Sequence, residues 1–254
     1  MKVMVLGSGS AYGCPMVFNK WRKASPLNPK NIRSRASVLI ETQGKYFLID
    51  AGPEFRQQIN DNNVPDINAV FVTHSHYDHI AGIPELPRAS KNIEHPIEIW
   101  ASQETMAELN STFYYLFNGE EPEGIGLRWK MLPDDGIFES CGVKFETFQV
   151  PHHRLHCSAF RCENFAYVAD WQDLPEPALN HLQDLDVLLI ECNNGLYPEV
   201  NGHGDLEKIK YFTSIIKPKK TILTHLSARV DFDETQQMLP SSFELAFDGM
   251  IVDV

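Results

Sequence analysis

The segment VTHSHYDHIAG, residues 72–82, places His74, His76, Asp78 and His79 within six positions. The run INAVFVT before it is apolar and β-branched, which is typical of a buried strand, and AGIPELP after it contains residues that interrupt regular structure. His74 and His76 are two positions apart and project to the same side of an extended segment. The adjacent Asp78 and His79 can diverge toward a second point. The segment therefore predicts a metal site at a strand exit, with enough ligands for two neighbouring ions.

Three further segments place ligand-type residues where a predicted strand ends. Functional groups gather at strand ends in α/β sheets, so these residues are candidates for the same site. His95 and His181 stand alone and are interpreted as ordinary surface or core histidines. The candidates are His152, His153 and His156 in VPHHRLHCSAF, Asp170 in YVADWQDLP and His225 in TILTHLSARVD.

The rest of the pattern predicts a single α/β domain over residues 1–254, with mostly antiparallel or mixed sheets. ASVLIE and KYFLID predict a hairpin, and Ser102 is a candidate N-cap for a helix over 102–117. The last third alternates predicted helices and strands. No repeat or linker divides the chain.

The net charge and the cysteine content limit which binding partners and which cellular location are expected. A net charge of −12 argues against nucleic acid, because binding its backbone depends on Lys and Arg. It does not exclude a small phosphate ester, since divalent cations supply local positive charge. The five scattered cysteines indicate neither a disulfide framework nor a cysteine zinc finger. With no signal-like or 18-residue apolar run, we expect a cytoplasmic protein without a membrane partner.

An ordered set of motifs resembles those of the metallo-β-lactamase-fold hydrolases along nearly the whole chain. The motifs are THSHYDH, HHRLHCSAF, ADWQ and LTHLS, together with LIDAGPEFRQQ near the start. The resemblance implies a four-layer αββα sandwich and a metal-dependent hydrolase. Within this fold, the chain resembles in particular the phosphodiesterases of the carbon–phosphorus lyase pathway, which open a 1,2-cyclic phosphate on phosphorylated ribose. The segments that carry this resemblance are GHGDLEKI, LTHLS and LPSSFELAFDGMIV. The tRNA 3′-processing endonucleases and the coenzyme PQQ accessory proteins share parts of the pattern.

The resemblance also implies a ligand set. His153 is preferred to His152 because it keeps the family spacing to Ala159 and Phe160, which leaves His152 and His156 on the pocket wall. One ion is then expected on His74, His76 and His153, and the other on Asp78, His79 and His225, with Asp170 between them.

Other residues are assigned to catalysis or support. His203 in GHGD matches a histidine near the substrate phosphate, with an ordinary loop histidine as the alternative, and His203 and Asp78 are the catalytic candidates. Asp50 and Asp248 are candidates for holding ligand histidines, with a turn or capping role as the alternative. Glu191 is a weaker candidate for the same role.

The expected activity is hydrolysis of a small phosphodiester, with a cyclic one such as phosphoribosyl 1,2-cyclic phosphate preferred. A hydroxide shared by two divalent ions would attack phosphorus. Zn²⁺ or Mn²⁺ suits the ligands, with Fe²⁺ as a further alternative. The other functions considered are a metal-binding accessory protein without turnover and a tRNA 3′-processing-type nuclease. The oligomeric state is left open, with a homodimer as one candidate.

One segment departs from these phosphodiesterases, which hold a further, structural zinc there. The loop after the first strand contains Cys14 as its only cysteine, and Ala228 stands where a histidine would be needed. One thiol cannot close a tetrahedral site, so we expect no zinc in this loop. Packing is expected to hold it instead, with Val17, Phe18, Trp21 and Leu27 as anchors.

Overall fold

The computed structural model describes residues 1–117, 126–198 and 202–254. Within these residues the strands form two sheets of seven strands each. In each sheet one half is antiparallel and the other half is parallel.

The first sheet contains the early strands and the last one, in the order β14-β1-β2-β3-β4-β5-β6. The predicted hairpin is the β2–β3 pair, and its turn residues Gln43 and Gly44 both have positive φ, 50° and 70°, as a two-residue primed turn requires. The strands are β1 (Lys2–Gly7), β2 (Ser37–Thr42), β3 (Lys45–Ile49), β4 (Ala69–Phe71), β5 (Ile97–Ala101), β6 (Leu127–Met131) and β14 (Met250–Asp253).

The second sheet has the order β13-β12-β11-β10-β9-β8-β7. Its parallel half consists mainly of buried apolar residues, and all residues of the strand VLLIE are buried, which is typical of strands covered on both faces. The strands are β7 (Gly136–Ser140), β8 (Val143–His152), β9 (Leu155–Cys162), β10 (Phe165–Val168), β11 (Val187–Glu191), β12 (Lys220–Thr224) and β13 (Phe243–Leu245).

Helices cover the outer faces of both sheets. Phe55, Leu86 and Leu109 pack with the outer face of the first sheet, and Ile209 and Phe232 pack with that of the second. A third cluster of buried residues joins the inner faces. The αββα sandwich is therefore confirmed. The helices are α1 (Phe55–Asp61), α2 (Tyr77–Ile80), α3 (Leu86–Ile93), α4 (Gln103–Thr112), α5 (Tyr114–Phe117), α6 (Glu176–His181), α7 (Leu206–Ile216) and α8 (Phe232–Met238).

The helix predicted over 102–117 is divided in two. Ser102 caps α4 as expected, and its side chain accepts a hydrogen bond from the backbone N–H of Thr105. Phe113 has φ −120° and ψ 41°, which lie outside the helical range and separate α4 from α5. None of the described helices has both the length and the apolar character needed to cross a bilayer.

The segment between β1 and β2 is not held as the sequence predicted. Val17, Phe18 and Leu27 are 78%, 90% and 91% exposed, so they cannot anchor it by burial. Of the four residues predicted to do so, only Trp21 packs against the small buried cluster around Cys14. The expectation of apolar anchors is wrong for the other three.

Polar groups hold the segment instead. The buried guanidinium of Arg33 donates to the carbonyl oxygens of Ser227 and Val230 and to Oδ1 of Asn31. Asn31 in turn donates to Asp231, 2.8 Å away. Buried polar groups are stable only when they are paired in this way. These bonds fix the segment to the residues that follow β12.

Candidate metal centre

Strand ends from both sheets meet at one edge of the sandwich. The segment after β4 carries His74 to His79, β8 ends at His152, Asp170 follows β10, and His225 follows β12. Among the described residues these side chains form two groups, each with ligand atoms within 4.8 Å of one another. The first group is His74, His76, His152 and Asp170, and the second is Asp78, His79 and His225.

Asp170 belongs to the first group and also approaches the second. It is almost fully buried. Its Oδ2 atom is 3.7 Å from Nε2 of His74 and 3.4 Å from Nε2 of His152. Its Oδ1 atom is 3.2 Å from Nε2 of His225 and 3.9 Å from Nε2 of His79. Each carboxylate oxygen thus faces a different group, which is the arrangement that a bridging carboxylate needs.

Among the described residues, the geometry favours His152 over the predicted His153 as the neighbour of Asp170. Phe148, Val150 and His152 alternate along β8 and are all buried, whereas His153 lies in the following turn at φ 52° and is exposed. Successive side chains of a strand point to opposite faces, so His152 continues the buried face toward Asp170. This alternation in FQVPHH was the sequence signal that could have identified His152. Among the described ligand candidates, His153 forms a group with His152 and His203.

Asp50 is the residue that orients His79. Its carboxylate accepts hydrogen bonds from the backbone N–H and the hydroxyl of Thr73, both 2.8 Å away, and lies 2.6 Å from Nδ1 of His79. With Nδ1 held by the carboxylate, Nε2 of His79 faces Asp78 at 3.2 Å. Of the two interpretations for Asp50, the supporting role fits the structure.

Asp248 has the turn or capping role that was the alternative for it. Its carboxylate accepts hydrogen bonds from the backbone N–H and hydroxyl groups of Ser8 and Ser34. These bonds fasten the two ends of the segment between β1 and β2. In the described part of the chain, the hydrogen bonds of the Asp248 carboxylate go to Ser8 and Ser34 and none goes to a ligand candidate.

Replacing Asp50 by asparagine is expected to lower the affinity for Zn²⁺ by about 10–100-fold, the usual effect of losing a carboxylate behind a ligand histidine. Competition with a chromophoric chelator measures this affinity. Asp248→Asn is the matched control, because it removes an equivalent charge that fastens a loop only, and its Zn²⁺ affinity should be that of the wild type. Equal affinities for all three proteins would contradict the role of Asp50.

Several buried atoms of the site lie close to other polar atoms but make no well-aligned hydrogen bond among the described residues. They include Nε2 of His79, Nε2 of His152 and Oδ1 of Asp170. A buried polar atom without a partner is costly, and a cation coordinated by these atoms removes that cost. Imidazole nitrogens and carboxylate oxygens are suitable ligands for Zn²⁺, Mn²⁺ and Fe²⁺. The residues present therefore fit divalent cations.

The protonation of the histidines fits the same conclusion. Burial lowers the pKa of His74 well below its ordinary value and that of His152 to about 4, so both imidazoles are neutral and can offer a lone pair. For His79, burial also acts to lower the pKa, but Asp78 and Asp50 outweigh it and raise the pKa well above its ordinary value. A cation that binds His79 must displace this proton.

The GHGD segment brings His203 to the same site. Nδ1 of His203 is 3.4 Å from Oε1 of Glu191 and 4.0 Å from Oδ2 of Asp170. Glu191, fully buried at the end of β11, also accepts a hydrogen bond from the backbone N–H of Gly204. Glu191 thus positions this segment, and His203 with it.

Gly204 packs directly against the indole of Trp171. A Cβ atom at position 204 would lie 2.1 Å from Cε2 and Cζ2 of Trp171. The indole is fully buried and its N–H donates to the carbonyl oxygen of Glu191, so it cannot move aside. Only glycine fits here.

Gly204→Ala is therefore expected to destabilise the protein by about 1–3 kcal/mol or more, the range for overpacking a core, as measured by denaturant unfolding. Gly44→Ala is the comparison, since a Cβ there meets nothing within 4 Å and only the positive φ of 70° is unfavourable. A variant Gly204→Ala as stable as the wild type would show that the contact with Trp171 can relax.

A cavity of about 590 Å³ opens over the two groups. His76, His152, Asp170, His203 and His225 line it, as do residues that the sequence did not suggest, among them Arg22 and Arg229. The expectation that His156 lines the same pocket is wrong. His156 is exposed and lines a separate cavity beside Ser102 and Gln149.

Comparisons with known proteins agree with this architecture. A family profile described as "Beta-lactamase superfamily domain" matches residues 45–226. A crystal structure of a diphosphatase from the PhnP family has a TM-score of 0.90 and 27% sequence identity, covering 100% of this chain and 97% of that one. Zn²⁺-bound PqqB from Methylobacterium extorquens has a TM-score of 0.77 at 17% identity, covering 100% of both chains, and shares the fold.

A curated relative is longer than this chain. An octanoyltransferase of Porphyromonas gingivalis is 27% identical over 255 residues, which cover 98% of this chain and 51% of that protein. This chain therefore spans about half of that relative. The family profile covers well over half of the residues here and includes the segments of both ligand groups. The predicted resemblance is confirmed, and the chain belongs to the β-lactamase superfamily.

Proposed function

We propose that this protein is a hydrolase that binds two divalent metal ions and cleaves small phosphodiesters, with cyclic phosphodiesters preferred. The observation that carries the proposal is the position of Asp170, whose two carboxylate oxygens face two separate groups of ligand candidates. We assign His74, His76 and His152 to one ion and Asp78, His79 and His225 to the other, with Asp170 shared.

A pair of divalent cations supplies Lewis-acid stabilisation of phosphoryl charge and activation of water. The chain supplies the proton transfer. His203 lines the cavity, and its Nδ1 atom faces Glu191. Its other ring nitrogen, Nε2, is then the atom that can protonate the departing alkoxide. Glu191 and Asp50 act through the histidines that they orient.

The choice of phosphodiesters is supported by the relative named as a diphosphatase, which is 27% identical over nearly all of both chains. The likeness to PqqB is weaker in sequence, so an accessory protein without turnover is the second candidate. A tRNA-processing nuclease is disfavoured by the net charge of −12, because such an enzyme must attract a polyanion. A cytoplasmic location is supported by the five cysteines, none of which forms a disulfide.

The proposal is tested by reconstituting the purified protein with Zn²⁺ or Mn²⁺ and measuring turnover of bis(p-nitrophenyl) phosphate, 2′,3′-cyclic AMP and phosphoribosyl 1,2-cyclic phosphate. Nitrocefin and S-lactoylglutathione serve as β-lactam and thioester controls. We expect turnover of phosphodiesters only, with higher kcat/KM for a cyclic one. Bound metal without turnover of any phosphodiester would favour the accessory protein, and turnover of either control alone would contradict the proposal.

A further inference from the structure

Three histidines that line the cavity form a group that the two assigned ions use only in part. His152, His153 and His203 each place a ligand atom within 4.8 Å of those of the other two. His152 is already assigned to an ion beside Asp170, and His203 to proton transfer. His153 lines the same cavity but has no part in the proposed reaction. The group therefore contains one more metal-binding side chain than that reaction needs.

The surroundings of His153 fix its position although the residue is exposed. Its backbone N–H donates a hydrogen bond to Oε1 of Gln172, 2.6 Å away. Its imidazole packs on the backbone of Gly202, where an added Cβ atom would lie 2.5 Å from Cε1 and 2.7 Å from Nδ1 of the ring. Gly202 immediately precedes His203 in the chain. The imidazole of His153 is therefore held beside the segment that carries His203.

His203 completes the pair, and the charges around it favour a cation. The ring centroids of His153 and His203 are 5.9 Å apart, with the two planes nearly perpendicular. Nδ1 of His203 lies 3.4 Å from Oε1 of Glu191 and 4.0 Å from Oδ2 of Asp170. Imidazole nitrogens are good ligands for Zn²⁺, and nearby carboxylates attract a cation through their negative charge. The two imidazoles are therefore suited to share a zinc ion.

We propose that His153 and His203, beside His152, bind a third, inhibitory zinc ion. The inhibition rests on the proposed function, because it requires His203 to be the proton donor. An imidazole that coordinates a metal ion carries the ion in place of a proton, so it cannot form the imidazolium that donates to the leaving group. Because His152 already serves the first ion, the third ion has two imidazoles of its own and binds more weakly than the other two.

Zinc binding tests this site independently of turnover. Calorimetric titration of Zn²⁺ into protein that already holds two zinc ions per chain should show one further, weaker ion on the wild type. His153→Asn should bind no further ion and keep the first two, and asparagine tolerates the positive φ of 52° at this position. His156→Asn is the matched control, because His156 is exposed on β9 and lines another cavity. It should bind the third ion as the wild type does.

Turnover provides the second measurement. As the third ion binds, kcat of the wild type with bis(p-nitrophenyl) phosphate should fall on the order of 10²-fold or more, toward the rate expected after loss of a general acid. His153→Asn should have the wild-type kcat when it holds two ions and should keep it in the same excess of Zn²⁺. Mg²⁺ added to the zinc-loaded wild type should not inhibit, because it prefers oxygen ligands.

Three results would overturn the inference. They are a third ion that His153→Asn binds as tightly as the wild type does, a third ion that binds without inhibition, and the loss of one of the first two ions in His153→Asn. The last result would make His153 a ligand of the pair. If no phosphodiester is hydrolysed but the third ion binds to the wild type and not to His153→Asn, the proposed function fails and the third zinc site stands.

Discussion

Asp170→Ala is expected to lower phosphodiester turnover by about 10³-fold or more and to reduce bound metal from two ions per chain to one or fewer. A pair of cations contributes several kcal/mol of transition-state stabilisation, and each 1.36 kcal/mol corresponds to about tenfold in rate. Among the described residues, Asp170 is the carboxylate that faces both groups, and its removal leaves them without a shared ligand. Elemental analysis together with steady-state kinetics measures both quantities.

Asp173→Ala is the control for this variant. Asp173 is three residues away, is exposed, and its carboxylate accepts a hydrogen bond only from the backbone N–H of Leu174 among the described contacts. It should keep full metal content and activity. Two ions per chain and normal rates in Asp170→Ala would show that the groups do not depend on a shared carboxylate.

His203→Ala is expected to lower kcat by about 10²–10⁴-fold, the range for a lost general acid, while the protein keeps both ions. The metal content is the decisive measurement, because His203 lies near Asp170 and His225 and these three form a further group of possible ligands. Loss of one ion in this variant would make His203 a ligand rather than a proton donor.

His156→Ala provides the comparison for His203. His156 is an exposed histidine of the neighbouring strand β9 that lines another cavity. Its replacement should leave kcat unchanged. If both variants behave alike, the loss belongs to a general effect of removing a histidine, and the role of His203 in proton transfer is refuted.

The elements of the sandwich could be predicted because their signals are local. Apolar runs such as VLLIE and AVFVT indicate buried strands, and the ligand types that follow them mark the strand ends. The cluster from His74 to His79 needs no tertiary information, since its four residues lie within six positions. The strand β7 (GIFES) was not predicted, because its alternation is short and only Phe138 and Ser140 are buried.

The expectations that differ from the structure concern contacts between segments that are far apart in the sequence. The alternation of buried residues Phe148, Val150 and His152 favours His152 over His153, but only the position of Asp170 in the folded chain shows which of the two histidines lies beside it. The segment between β1 and β2 was expected to use apolar anchors, but Arg33 holds it through carbonyl groups nearly 200 positions later. No local pattern reveals such a bond.

Each of the two ligand groups contains residues from both sheets. The segment with His74 to His79 extends from the first sheet, whereas His152, Asp170 and His225 extend from the second. A cation bound by either group would therefore cross-link the two sheets. Because it binds the folded chain, its free concentration would then affect the folding equilibrium. Free metal at 100 times its dissociation constant would add about 2.7 kcal/mol to the free energy of unfolding. The concentration of free metal would thus affect the free energy of unfolding of this chain, independently of catalysis.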